Sequence, residues 1–161
     1  MKKILLLTVA VFTLTFPLAA DDPIGLGILF SLPEATTKQH IRGLGIGLPI
    51  IANEQTKGLS LALCGNHTQY ATGVQATFFG YNYAKSFYGV QLSFLNVQKE
   101  QHGDFATQVG FVNLADENGV QLGFVNVANN NATFQFGLIN VNNGGLLPIM
   151  IFVNFGKNFF K

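Results

Sequence analysis

Residues 119–128 read Gly119-Val120-Gln121-Leu122-Gly123-Phe124-Val125-Asn126-Val127-Ala128. The run is uncharged and mixes branched and aromatic side chains with Gln, Gly and Asn, which reads as a strand. Straight alternation puts Val120, Leu122 and Phe124 on one face and Gln121, Gly123 and Val125 on the other. The phrase recurs on both sides of this run. Residues 90–97 read VQLSFLNV, 107–114 read TQVGFVNL and 134–141 read FQFGLINV. Gln91, Gln108, Gln121 and Gln135 are each followed five positions on by Asn96, Asn113, Asn126 and Asn140. Weaker copies lie at 74–81 (VQATFFGY, with Gly80 in the Asn place) and 59–66 (LSLALCGN), and a last copy at 148–155 (PIMIFVNF) keeps only Asn154. A unit recurring every 13 to 17 residues marks a repeat architecture.

Charge sharpens this reading. Hydrophobic residues make up 48% of the 161-residue chain and charged residues 11%, with a net charge of +1. Such a composition excludes a disordered charged tail and a basic nucleic-acid-binding face, and a single cysteine excludes a disulfide framework. Lys85, Lys99, Glu100, Asp104, Asp116 and Glu117 all fall between repeats, and Glu34, Lys38, Arg42, Glu54 and Lys57 fall between the upstream strand candidates. Neither face of any strand is built for bulk water, unlike a soluble sandwich.

At the start, Met1-Lys2-Lys3 is followed by the apolar run Ile4–Phe16 and by Pro17-Leu18-Ala19-Ala20 ahead of Asp21-Asp22. This is the plan of a secretory signal peptide, and the run is too short to span a membrane as a helix. The expected organisation is a signal peptide over 1–20 and one all-β repeat domain over 21–161.

Eight or nine short strands are expected, at 24–32, 43–51, 58–65, 72–83, 87–97, 106–114, 119–128, 132–141 and 147–156. The connectors are too short to return the chain beside an eight-residue straight strand, so an antiparallel meander is expected, closed as a small outer-membrane-type β-barrel. The alternative is a two-sided β-solenoid whose rung takes two units. Asn118-Gly119 and Asn143-Gly144 suit tight turns.

The tandem GxQxGxxN units resemble those of bacterial surface-repeat proteins known from leptospires and other Gram-negative bacteria. Residues 119–126 match in full. Gly89-Val90-Gln91 with Asn96, Gln108-Val109-Gly110 with Asn113, and Gln135-Phe136-Gly137 with Asn140 match in part. The likeness spans residues 73–156 and extends to the closing LPIMIFVNF. It implies a surface or outer-membrane location and carries no catalytic residues.

No catalytic, metal or cofactor constellation stands out. Cys64 in LALCGN lacks an activating neighbour other than His67 and reads as a small apolar residue. His40, His67 and His102 sit in separate connectors without ligand spacing. The Asp116-Glu117 and Glu100/Asp104 pairs read as solvated turns, and the glycines at 25, 27, 43, 45 and 47 lack the Lys-Ser/Thr of a phosphate loop. The sequons at Asn66 and Asn131 are chance patterns in a bacterial chain. The repeated Gln and Asn are read as structural amides, because a position present in every strong unit suits assembly rather than one binding site. The expectation is a non-enzymatic exported protein of the outer membrane or cell surface, in a structural or interaction role. Its partners would be outer-membrane lipid or a surface partner, with no nucleic acid and no cofactor. A periplasmic or secreted location is the alternative address, and a small pore or solute-binding barrel the alternative role.

Overall fold

A computed structural model of the protein describes residues 21–28, 40–99, 105–116, 118–129 and 133–159. Residues 1–20, where a signal peptide is expected, and the 29–32 part of the first strand candidate lie outside these residues. The strands are β1 (Asp21–Ile28), β2 (His40–Leu48), β3 (Ile50–Ala62), β4 (Gly65–Thr77), β5 (Tyr81–Leu92), β6 (Leu95–Gln98), β7 (Phe105–Ala115), β8 (Asn118–Ala128), β9 (Thr133–Asn142) and β10 (Ile149–Phe155). They form one sheet in sequence order. Strands β1 to β9 pair in parallel, and only β10 runs antiparallel, against β9.

The fold is a β-solenoid of about six turns. It is neither an antiparallel meander nor a barrel, and both expectations are corrected. A straight strand cannot return within one short connector, but these strands are not straight. In β7, β8 and β9 each repeat folds in half at Gly110, Gly123 or Gly137. One unit thereby makes a whole rung, rather than half of one as in the two-unit solenoid considered above. In β3, β4 and β5 the chain rounds the opposite edge instead, without breaking the pairing between strands. At that edge Gly58, Gly73 and Gly89 stack in register at φ 133°, 122° and 135°. A Cβ at Gly73 would be driven into the carbonyl of Gly58. Only glycine tolerates this backbone and this approach.

Register is residue-on-like-residue. Gln75, Gln91, Gln108, Gln121 and Gln135 lie one above another, as do Asn66, Asn82, Asn96, Asn113, Asn126 and Asn140. Both columns point inward and are fully buried. The interior is therefore mostly amides, hydroxyls and small side chains, with Phe87 fully buried among Ala71, Ala84 and Ala106, and most other bulky apolar side chains point outward. A compact aliphatic patch (Ile41, Ile51, Ala62) replaces the amides in the first rungs, where Gly45 and Ile51 take the Gln and Asn places. Strand β10 closes the last rung.

Candidate interaction surface

The two amide columns form ladders of opposite polarity. Each Asn Nδ2 donates to the Oδ1 of the next rung, at 2.9 Å (Asn66 to Asn82), 3.0 Å (Asn82 to Asn96), 2.9 Å (Asn96 to Asn113), and 2.8 Å for both Asn113 to Asn126 and Asn126 to Asn140. Each Gln Nε2 donates backward, with Gln91 to Gln75, Gln108 to Gln91 and Gln121 to Gln108 at 2.9 Å, and Gln135 to Gln121 at 2.8 Å. The backbone dictates these directions. The second N–H of Asn96, Asn113 and Asn126 meets the carbonyls of Val109, Leu122 and Phe136. That of Gln108, Gln121 and Gln135 meets those of Leu114, Val127 and Val141. Turning either amide over would set oxygen against oxygen. The opposed directions also cancel the dipoles that an aligned column accumulates.

The ladders begin where the repeat is weakest. Ser60 Oγ donates to Asn66 Oδ1 at 2.6 Å, and Gln75 Nε2 donates to Thr68 Oγ1 at 3.0 Å. At the other end, Gln135 Oε1 has no partner among the described residues. Eight of the nine amides singled out by the sequence (Gln91, Asn96, Gln108, Asn113, Gln121, Asn126, Gln135 and Asn140) are ladder members. Asn154 is buried in the cap opposite Gln135, donates to the Leu147 carbonyl and stays outside the ladder. Sequence reasoning missed Asn66, Gln75 and Asn82 as members. The Gln-to-Asn spacing there is six (from Ser60) or seven rather than five, because the corner is longer, and this put Gly80 in the Asn place.

Above the Asn ladder lies the corner where β7 to β9 fold. Its outward side chains are apolar in every rung: Leu48, Leu63, Phe78 and Phe79, Phe94, Phe111, Phe124 and Leu138, continuing into Ile151 and Phe152 of the cap. Phe79, Phe94, Phe111 and Phe124 are 81%, 60%, 45% and 47% exposed. The Phe94–Phe111 and Phe111–Phe124 rings stack with centroids 5.0 and 4.9 Å apart and planes within 6° of parallel. That separation matches the ~4.8 Å spacing of hydrogen-bonded strands. Stacking within the column covers the ring faces and leaves ring edges outward.

Many polar groups at this corner are bonded internally. Phe78, Phe79, Tyr81, Ser93, Leu95, Phe111 and Val112 donate their N–H groups to carbonyls of neighbouring rungs. The Asn ladder takes the carbonyls of Ala76, Leu92, Val109, Leu122 and Phe136 from beneath. The Thr77 hydroxyl turns inward to Asn82 at 2.6 Å, and that of Ser93 donates to the Leu95 carbonyl at 2.6 Å.

Charge sits on the opposite edge. Arg42, Glu54, Lys57, Lys85, Lys99 and Asp116 all fall between the inward column Asn53–Thr68–Ala84–Gln98–Ala115 and the Gly43–Gly58–Gly73–Gly89 column. His40 approaches Glu54 at 3.7 Å, and Asn129 donates to Asp116 at 2.9 Å. The remaining chemical candidates do not assemble. His67 stacks on Tyr83 at 4.4 Å, and burial lowers its pKa. Cys64 is a half-buried free thiol. Asn66 of the first sequon is a buried ladder member. No group of metal-ligating side chains occurs among the described residues, and His102, Glu100, Asp104, Glu117 and Asn131 lie outside them.

These features define a class of protein: a β-solenoid with a polar, hydrogen-bonded interior, one apolar edge and one charged edge. No family model, curated protein or solved structure matches the chain. The pore and solute-binding alternatives lose the barrel they were drawn on, since one sheet of mostly parallel strands coils around the buried amides.

Proposed function

We propose that the chain is a non-enzymatic structural protein of the bacterial cell surface or outer membrane, exported through its first 20 residues. One observation carries the reading: five successive rungs, from Gln75 and Asn82 to Gln135 and Asn140, repeat the same inward Gln and Asn. Enzymatic and ligand sites depend on one place differing from the rest. A column of identical positions instead supports length, regularity and a repeated outer surface. The resemblance of the GxQxGxxN units to surface-repeat proteins and the signal-peptide pattern of residues 1–20 support the address. Fractionation of the producing cell tests it. Recovery with the outer membrane, with the 1–20 segment absent from the mature N-terminus, is the expected result. Recovery in the cytosol with Met1 retained overturns it.

A further inference from the structure

We infer that the apolar corner is a lipid-embedding edge, with the solenoid axis lying in the plane of a membrane surface and the charged edge in water. The inference deepens the outer-membrane reading but rests on the corner alone.

Three observations select lipid over a second copy of the chain. The first is internal use of polar groups. A hydrocarbon phase requires backbone groups to be satisfied within the protein. At the corner, seven N–H groups bond across rungs and the Asn ladder takes carbonyls from beneath. A protein–protein interface ordinarily offers about one hydrogen bond per 100–200 Å², and the Thr77 and Ser93 hydroxyls of this strip are bonded within the chain. The second is charge segregation, since the described charges of the rungs stand on the far edge. This is the division of an interfacial amphipathic element, here built from strands. The third is continuity. The strip runs from Leu48 through Phe79, Phe94, Phe111, Phe124 and Leu138 to Phe152 of the cap, without a charged residue. The stacked rings of Phe94, Phe111 and Phe124 cover one another's faces along the strip.

The chain has no tryptophan, so a single introduced one reports its own surroundings. The test uses the full chain with phosphatidylcholine–phosphatidylglycerol vesicles whose acyl chains are brominated. The Phe111→Trp reporter stands on the corner and the Tyr88→Trp reporter on the charged edge. Bromine on the acyl chains is expected to halve the Phe111→Trp emission at least, for a side chain entering the roughly 5–10 Å boundary layer. Emission of Tyr88→Trp should stay near its value in unbrominated vesicles. Equal quenching at both positions, as when the 4–16 segment alone holds the chain, overturns the inference. So does a chain that ignores vesicles and instead forms a concentration-dependent dimer, and so does one that does neither. Both substitutions exchange an exposed aromatic for another, and far-UV circular dichroism matching the parent certifies the fold. Synthetic vesicles report on the edge and cell fractionation on the address, so either reading can fail alone.

Discussion

Replacing Asn113 by Leu sets two large effects against each other. The two side chains have nearly the same shape, and the site is fully buried. Burying a leucine stabilises by roughly 2 kcal/mol. On that ground alone Asn113→Leu should make the protein more stable. The ladder argues the reverse. Asn113 Oδ1 accepts from Asn96, and its Nδ2 donates to Asn126 Oδ1 and to the Leu122 carbonyl. Leucine strands three polar groups in a place too full for water. At about 2 kcal/mol for each stranded group the penalty is about 6 kcal/mol. The net expectation is a loss of about 4 kcal/mol, a large share of the roughly 5–15 kcal/mol by which domains are stable. Urea unfolding followed by circular dichroism measures it. With a slope of about 2 kcal/mol per molar, the midpoint should fall by about 2 M. Leu122→Ala, outward on the same corner, is the comparison and should cost about 1 kcal/mol, because the site is already partly exposed. A midpoint for Asn113→Leu equal to or above that of the parent would refute the ladder as the source of stability.

The Gln ladder should show an end effect. Gln121→Leu strands groups on both neighbouring rungs, whereas Gln135→Leu strands only Gln121 Oε1 and the Val141 carbonyl. Gln135→Leu is therefore expected to be milder by about 1–2 kcal/mol in the same urea titration. At the corner, a Cβ on Gly123 would press on the Gly110 carbonyl and stand 2.5 Å from Asn113 Nδ2. Gly123→Ala should cost about 3 kcal/mol, and Gly123→Lys should fail to fold, as read by loss of protease resistance. Burial lowers the His67 pKa from 6.5. The unfolded chain then binds the proton first, so this contribution is fully present above pH 6.5 and is lost as pH falls through the folded value. His67→Phe should flatten the stability profile across that window.

Much of this was readable from the residues. The Gln and Asn repeat located the strands of the second half within a few residues, because the repeat is itself the rung. Segregation of charge away from the repeat was equally plain and reappears as the charged edge, although Arg42, Glu54, Lys57 and Lys85 lie inside strands rather than in connectors. Topology was misread at one point, the assumption that an eight-residue strand is straight. Gln121 and Asn126 are five apart, an odd number, so a straight strand sends them to opposite faces. Both are buried, and only a fold between them allows that. Gly123, with Phe124 and Val125 both turned outward, is where it happens. This parity was available in the sequence as a signal for the corner.

What the sequence by itself determined is the unit: its strand character, its repeat length, the inward-and-outward partition of its first half, and where charge is permitted. These depend on near neighbours and on hydropathy, which act within a dozen residues. Which strand pairs with which, and in which direction, was decided by the tertiary structure. An amide satisfies half of its hydrogen bonds on other rungs, 13 to 17 residues away. Only stacking in parallel brings Gln over Gln and Asn over Asn, and only then does the corner become dry enough to face an apolar phase.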